Sequence, residues 1–303
     1  MTHHHDHAHE GSQRLNKAFI IGILINLLYV VVELLAGLWY NSMALIADAG
    51  HNLTDVVSLA LAMMAFKLAN KPITSRFTYG YRKSTVLVSL GNSVFLFVAI
   101  GVILWESIHR INRAVELEGL PIVITSGIGI VINALSALLF FKEQGHDLNV
   151  RGAYLHLLAD AAVSLGVVVS GLSIMYFNLY WTDLVMSLIV VVVIFYSTWN
   201  LFKESLSMAL DGVPKGIEPG DIETTILGTP GVEALHHLHI WAISTRQNAL
   251  TAHIVISTHC NMNQLAIIRH SIKQGLKDKG IHHATLEFET AAENCRDKSP
   301  NND

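Results

Sequence analysis

Two short stretches of the chain combine an imidazole with a carboxylate at the same spacing. His51 and Asp55 form one His-x-x-x-Asp unit, and His156 and Asp160 form the other. Four residues along an α-helix advance about 6 Å and return to nearly the same face, so each unit would point both side chains into one space. Two such faces opposite each other would offer two nitrogen and two oxygen ligands, a set that suits a tetrahedral zinc ion. The spacing therefore predicts a metal site formed by these four residues.

The composition places both units in a lipid bilayer. The chain is 51% hydrophobic and only 15% charged, and its mean hydropathy of +0.43 is higher than soluble domains show. Ionisable groups at bilayer depth are costly and usually functional. A single buried histidine would more often be an ordinary polar contact between helices. The same unit on two separate helices favours the metal site over that alternative.

Six apolar runs are long enough to cross the hydrocarbon core, which takes about 20 helical residues. They are predicted to be helices, because a lipid-exposed backbone must satisfy its own hydrogen bonds. Their approximate limits are residues 18–39, 43–68, 84–108, 120–141, 149–177 and 182–202. The two His-x-x-x-Asp units lie in the second and fifth of these helices.

Lysine and arginine concentrate at one set of helix ends, and cytoplasmic loops are the ones that carry such an excess. The cations on this side are Arg14, Lys17, Lys67, Lys71, Arg76, Arg82, Lys83, Lys142, Arg151, Lys203 and Lys215. Both termini are therefore predicted to be cytoplasmic. The N-terminal region lacks the cleavage pattern of a secretory signal, so we expect the first helix to be retained.

Beyond residue 214 the chain stops being continuously apolar, and a small α+β domain of order α-β-β-α-β is predicted. Its second strand alternates Leu250, Ala252 and Ile254 with polar neighbours, which suits a sheet with one covered face. The expected elements are a helix at 221–227, strands at 234–242 and 250–258, a helix at 264–279 and a strand at 284–288. The expected divisions are a His-rich flexible tail at 1–15, a six-helix membrane domain at 16–206, the α+β domain at 207–291 and a polar disordered tail at 292–303.

Four sequence motifs together resemble the cation diffusion facilitator family. Residues 42–55 read SMALIADAGHNLTD, which is similar to the family signature. The matches to the bacterial zinc-exporting branch continue in YGYR at 79–82, NVRGAYLH at 149–156 and HHLHIW at 236–241. The resemblance covers nearly the whole chain. It implies a proton-coupled antiporter in the inner (plasma) membrane that exports zinc from the cytoplasm, with cadmium and related ions as further candidate substrates.

The resemblance also implies a homodimer with a ferredoxin-like cytoplasmic domain that senses metal and dimerises. It assigns His51, Asp55, His156 and Asp160 to the transport site. A regulatory zinc site is implied in the cytoplasmic domain, where the candidate ligands are His236, His253, His283, Glu287 and Glu289. His282 could add a ligand, and the alternative is that these histidines are ordinary sheet or surface residues.

Two features depart from the family pattern. The segment 71–83 contains no histidine or acidic residue, so the additional loop zinc site of some relatives is not expected here. Lys83 follows Arg82 where many members carry a glutamate, which puts a charge-lock role at that position in doubt.

Metal binding requires neutral imidazole and ionised carboxylate, so zinc and protons compete for the same four groups. This competition would make protons the counter-ion. The residues do not decide between zinc, cadmium, cobalt, nickel and iron, because a two-His, two-Asp site accepts several of them. An intramembrane metalloenzyme and a passive metal channel or sensor are the competing functions. The enzyme is disfavoured because the chain lacks a His-Glu-x-x-His motif and four protein ligands leave no open position.

Other polar residues admit more than one interpretation. Asp48 is either an entrance carboxylate or a helix-start or packing residue, and Glu33 is either a proton-path residue or a contact between helices. The tract HHHDHAHE at 3–10 would be a metal-catching tail or an expression tag. Cys260 and Cys295 form no Cys-x-x-Cys pair. The net charge of −4 and the pI near 6.5 argue against a nucleic-acid partner.

Overall fold

The computed structural model describes residues 24–111, 116–140, 148–258 and 260–290. Within them, six helices precede a small domain with two further helices and a three-stranded sheet. The elements are α1 (Leu24–Trp39), α2 (Met43–Ala69), α3 (Ser84–Arg110), α4 (Gly119–Phe140), α5 (Leu148–Phe177), α6 (Trp181–Ala209), α7 (Pro219–Leu227), β1 (Val232–Ser244), β2 (Gln247–Ile256), α8 (Met262–Asp278) and β3 (Ile281–Thr290). This order confirms the predicted fold class.

Five of the helices, α2 to α6, are long and apolar enough to cross a bilayer. α1 is apolar over Leu24–Trp39, and the six residues before it that were predicted to belong to the same helix lie outside the described part of the chain. α6 runs seven residues beyond its predicted end at residue 202. The extension is amphipathic rather than apolar: Ser205 is buried and its hydroxyl lies 2.8 Å from that of Ser89. The prediction, which was based on the apolar run alone, therefore placed the end of α6 too early.

α2 lies at the centre of the membrane region. Met43 and Ala47 pack with residues of α3 and α6, whereas Ala44 and Leu45 pack with residues of α4 and α5. α4 and α5 approach each other so closely that a Cβ at Gly119 would overlap the Gly171 carbonyl, as is typical of small residues at helix contacts in membranes. The helix that carries His51 is thus packed from both sides.

The start of α2 is capped by a residue from α6. Asp183 is buried, and it accepts hydrogen bonds from the Ser42 hydroxyl (2.5 Å) and from the Met43 and Ala44 backbone N–H groups (2.7 and 3.3 Å). The first N–H groups of a helix have no partner within the helix and carry partial positive charge, so a carboxylate at this place stabilises the end. Asp183 therefore fixes the start of the helix that carries the first His-x-x-x-Asp unit.

The small domain has the predicted α-β-β-α-β order and the sheet order β1-β2-β3. β1 pairs antiparallel with β2, and β2 pairs parallel with β3. The alternation expected in β2 is present, because Leu250, Ala252 and Ile254 are buried against the helices. Each strand is longer than predicted at one or both ends, since backbone pairing continues past the apolar residues that reveal a strand in sequence.

The chain divides into two compact units, the first formed by Met1–Ala60 and Val94–Trp199 and the second by Leu61–Ser93 and Asn200–Asp303. In the second unit, the Lys83 ammonium donates to the Asp211 carboxylate (2.6 Å), to the Met208 carbonyl (2.8 Å) and to the Ala242 carbonyl (3.1 Å). The cation at this position therefore has its own carboxylate partner, which the sequence around Arg82 did not reveal. The predicted domain boundaries stay a prediction.

Candidate metal sites

The structure brings the two His-x-x-x-Asp units together within the first compact unit. His51 Nε2 lies 3.3 Å from Asp160 Oδ1, and His156 Nε2 lies 3.2 Å from Asp55 Oδ2. Within each unit, His51 Nδ1 is 3.9 Å from Asp55 Oδ2, and His156 Nε2 is 3.7 Å from Asp160 Oδ2. The shorter distances run between α2 and α5, so the two helices face each other through these side chains.

These separations fit a small tetrahedral ion. Ligands held at about 2.1 Å from zinc stand about 3.4 Å from one another at the corners of a tetrahedron. The four nitrogen–oxygen separations of 3.2 to 3.9 Å lie near that value, and they involve both nitrogens of His51 and both oxygens of Asp160. One ligand atom from each of His51, Asp55 and Asp160 can be chosen so that all lie within 4.8 Å of one another. His156 lies beside this group, with its Nε2 3.2 Å from Asp55 Oδ2.

Two atoms in the cluster lack hydrogen bonds despite being buried. His51 Nδ1 and Asp160 Oδ1 have no hydrogen-bond partner among the described residues. Buried polar atoms are nearly always satisfied in proteins, and an exception calls for an explanation. A bound cation would provide one, because it would take a lone pair from each atom.

The cluster is closed on one side and accessible on the other. The side chains of His51 and Asp160 are 11% and 5% exposed, whereas those of His156 and Asp55 are 49% and 35% exposed. Asp55 lies C-terminal to His51 on α2, and His156 lies N-terminal to Asp160 on α5. The accessible pair is therefore displaced toward the C-terminal end of α2 and the N-terminal end of α5.

Asp48 lies behind this cluster and not at its mouth. It is fully buried, and it lies six residues after Ser42, the residue that precedes the first turn of α2. Its Oδ2 accepts a hydrogen bond of 2.9 Å from the Ser164 hydroxyl on α5. Its side chain is therefore neither an exposed entrance group nor a helix-start cap. It links α2 and α5 beside the four candidate ligands.

A second group of candidate ligands lies on the sheet of the small domain. His236 and His253 are direct partners across β1 and β2, and His253 is opposite Glu287 on β3. Glu289 Oε1 is 2.6 Å from His253 Nδ1, and Glu289 Oε2 is 3.2 Å from His236 Nε2. His236, His253 and Glu289 each offer one atom to a common point, whereas Glu287 approaches His253 Nε2 at 3.5 Å and is mostly exposed.

This second group also fits a metal ion. Two imidazoles and one carboxylate are common zinc ligands, and a partly exposed site leaves room for water or a further ligand. His236 Nε2 is buried and makes no hydrogen bond within the described residues, although a carboxylate oxygen lies 3.2 Å away. An unsatisfied nitrogen that faces a carboxylate is the arrangement that a shared cation would complete.

Two neighbouring histidines differ from the sequence-based expectation. His283 is paired with Ala249, four residues along β3 from Glu287, and its ring contacts Tyr79 rather than the other candidate ligands. His237 has a φ of 51° in a bulge of β1, which turns its ring to within 5 Å of the His253 ring centroid (4.9 Å). A bulge places two successive side chains on one face of a strand. His237 belongs to the HHLH segment of the sequence, but strict alternation along a strand would place its side chain on the face opposite to that of His236.

The N-terminal tract at 3–10 and Cys295 lie outside the described residues, and Cys260 is a half-buried free thiol. Asp183, Ser164 and His237 are the site-supporting residues that the sequence did not reveal. Asp183 and Ser42 are 141 positions apart, and Asp48 and Ser164 are 116 apart, so neither pair has a local pattern. Polar residues inside apolar runs are the one signal that could have singled them out.

Comparison with known proteins agrees with this architecture. Residues 19–209 match the cation efflux transmembrane domain, and residues 214–291 match the cation efflux protein cytoplasmic domain. The "Cadmium, cobalt and zinc/H(+)-K(+) antiporter" of Bacillus velezensis is 35% identical over 97% of this chain and 94% of its own length. The "Metal cation efflux system protein CzcD" of Cupriavidus metallidurans is 34% identical over 95% of this chain and 90% of its own.

The "Zinc transporter ZitB" of Escherichia coli is 30% identical over 95% of this chain and 93% of its own. A solved structure of the metal-bound C-terminal domain of a CzcD transporter is 39% identical and covers 24% of this chain and 99% of its own, with a TM-score of 0.22. Both family domains are present, one after the other, and full-length relatives align from end to end. The chain therefore belongs to the cation efflux family of membrane transporters.

Proposed function

We propose that this protein exports zinc from the cytoplasm in exchange for protons, and that His51, Asp55, His156 and Asp160 hold the ion during transport. The observation that carries the proposal is the meeting of two imidazoles and two carboxylates, from α2 and α5, at nitrogen–oxygen separations of 3.2 to 3.9 Å. The names of the relatives support it, since they are antiporters and transporters of zinc, cadmium and cobalt.

The exposure of the ligands supports an inward-facing arrangement. Asp55 and His156, the accessible pair, lie toward the ends of α2 and α5 that carry the excess of lysine and arginine. Zinc from the cytoplasm would meet these two ligands first and the buried pair, His51 and Asp160, afterwards. Opening on the other side would then expose the ion to a more acidic compartment, where protons displace it.

We further propose that the transporter is a homodimer in the inner membrane with both termini in the cytoplasm. The presence of the family's cytoplasmic domain at 214–291 supports the dimer, and the distribution of cations supports the orientation. In that domain, His236, His253 and Glu289 would hold a regulatory zinc ion whose binding favours one arrangement of the two subunits.

Zinc flux into proteoliposomes tests the proposed exchange. Purified protein would be reconstituted, a pH gradient imposed, and zinc entry followed with an internal zinc-sensitive dye. We expect the direction of the proton gradient to accelerate or reverse zinc movement, and we expect zinc movement to drive protons the other way. Zinc flux that ignored the pH gradient would contradict proton exchange and favour a passive channel. Cadmium, cobalt, nickel and iron in the same assay would establish selectivity.

Replacing His253 with alanine should remove the cytoplasmic site alone. His253 contacts both Glu287 and Glu289, so its loss takes away a ligand and the neighbour that orients the others. We expect the affinity of this site to fall at least about tenfold, because even indirect disturbance of a metal ligand has that effect. Zinc bound per chain, measured by equilibrium dialysis of the full-length protein, should fall by one ion.

His270→Ala is the matched control for this variant, because His270 is an exposed residue of α8. It should leave the number of bound ions unchanged. If His253→Ala bound as much zinc as the unmodified protein, at the same affinities, the cytoplasmic site would lie elsewhere.

A further inference from the structure

A fully buried carboxyl group on α1 lies outside the set of four metal ligands. Glu33 is 0% exposed, and its two oxygens accept hydrogen bonds from the Tyr29 hydroxyl (2.6 Å) and from the Asn52 amide (3.2 Å). The Tyr29 hydroxyl also contacts the Thr125 carbonyl of α4, and the absence of a side chain at Gly129 makes room for it. Glu33 is therefore held in place by hydrogen bonds from α1 and α2.

A second buried carboxyl group faces Glu33. Asp48 is also 0% exposed, and it lies one helical turn before Asn52, the α2 residue whose amide donates to Glu33, so both share the helix face toward Glu33. Ser164 donates to its Oδ2, but its Oδ1 has no donor in the described part of the chain. Ionised carboxylates have no hydrogen to donate, so two of them can form a hydrogen bond only when one holds a proton. A proton on Glu33 would give Asp48 Oδ1 the donor that it lacks.

The charge of the Glu33–Asp48 pair also indicates that one of the two carboxyl groups is protonated. No lysine or arginine in residues 24–111, 116–140, 148–258 and 260–290 forms an ion pair with either carboxyl. Two adjacent negative charges without a counter-cation would be very costly at bilayer depth. Glu33 faces Tyr29 and Asn52, which are neutral donors, and Asp48. Asp48 in turn accepts from Ser164, and His51 and Asp160 lie close enough to interact with its charge. None of the hydrogen-bond partners of Glu33 is one of the four candidate metal ligands.

We propose that Glu33 and Asp48 share one exchangeable proton, at a site separate from the four metal ligands, and that this proton leaves when zinc binds. Asp48 lies one helical turn before His51, so the double charge of bound zinc falls close to the pair. That charge offsets the cost of a second ionised carboxylate. The O–H bond of Glu33 then breaks, Glu33 keeps the electron pair as a carboxylate, and the proton passes to water.

The pair thus adds one proton to the number exchanged per zinc ion. This inference rests on the proposed transport site, because zinc must bind near Asp48 to expel the proton. It concerns the proton count and not zinc binding itself, so the two can fail separately.

Glu33→Gln removes the exchangeable proton but keeps the ability of the side chain to form hydrogen bonds. The glutamine N–H can donate to Asp48 as the protonated acid does, its carbonyl can accept from Tyr29, and the Asn52 amide can turn its own carbonyl toward the glutamine N–H. The variant imitates the protonated pair permanently and has no proton to release. We therefore expect it to fold and to bind zinc.

The test is the number of protons released per zinc ion bound. Full-length protein in detergent would be titrated with zinc in weakly buffered solution near neutral pH, with a pH indicator for protons and a zinc assay for binding. Glu33→Gln should release one proton fewer per zinc ion than the unmodified protein. Glu106→Gln, which changes a half-exposed carboxylate paired with Arg110 on α3, should release the same number as the unmodified protein.

An equal count in Glu33→Gln and the unmodified protein would overturn the proposal, and so would loss of zinc binding in Glu33→Gln. If the unmodified protein bound no zinc, the proposed function itself would fail. If the variant did not fold, infrared difference spectra of the unmodified protein would decide. A protonated-carboxyl band should disappear when zinc binds, and its absence from the metal-free protein would rule out the shared proton.

Discussion

Asp160→Asn is expected to abolish zinc transport and to weaken zinc binding at the membrane site at least about 100-fold. Indirect disturbance of a ligand costs about 10- to 100-fold in metal affinity, and removal of the ligand itself should cost more. Asp160 contacts both histidines of the site and is almost fully buried, so water has little access to take its place. The amide keeps the size of the side chain but lacks the negative charge that offsets the ion. Zinc flux into proteoliposomes and competition with a chelator of known affinity measure the two effects.

Asp221→Asn provides the control for this change. Asp221 is an exposed residue of α7, 3.6 Å from the Lys279 ammonium, and far in sequence from both His-x-x-x-Asp units. The same chemical substitution there should leave flux and affinity unaltered. Normal zinc flux in Asp160→Asn would contradict the assignment of the transport site.

Protonation of its two histidines is expected to lower the zinc affinity of the membrane site by about 100-fold per pH unit under acidic conditions, and the proton shared by Glu33 and Asp48 would add about a further tenfold. Zinc binds only neutral imidazole, and an imidazole ordinarily titrates near pH 6.5. Below that pH each histidine ligand must lose a proton before the ion can bind, which costs about a factor of ten per pH unit, and the site has two. Affinity is therefore present at higher pH and is lost as the pH falls. Chelator competition at a series of pH values gives the slope.

Comparison with His156→Gln checks the origin of that slope. One histidine then remains in the cluster, so the slope should become about tenfold smaller per pH unit than in the protein with both histidines, although the affinity is weaker throughout. The His253→Ala variant would be the background for both measurements, since it removes the cytoplasmic site from the titration. An affinity that did not change between neutral and acidic pH would exclude these imidazoles as ligands.

The expected pH dependence gives the exchange a direction. A site that is accessible from the cytoplasm near neutral pH would load zinc, and the same site opened to a more acidic exterior would take up protons in its place. The proton gradient would thus drive export through no reaction other than the binding and release of protons. In this scheme Asp48 and Glu33 add to the number of protons because they respond to the charge of the ion, not because they bind it.

The sequence by itself determined the order of the elements and the two His-x-x-x-Asp pairs that are candidate ligands. Continuous apolar runs identify membrane helices because the bilayer requires every backbone group to be satisfied within its own segment. His51 with Asp55, and His156 with Asp160, share a helical face for the purely local reason that four residues make about one turn. Alternation in β2 likewise predicted its buried face, as Leu250 and Ile254 show.

Only the tertiary structure decided which faces meet and what supports them. The contact of His51 with Asp160, the cap that Asp183 places on α2 and the pairing of Lys83 with Asp211 join residues more than 100 positions apart, and no local period encodes such pairs. The bulge at His237 reverses the face that alternation assigns, because one inserted residue shifts the side-chain period. Packing between elements, rather than the pattern within any one of them, brings the ligands of each site to a common point.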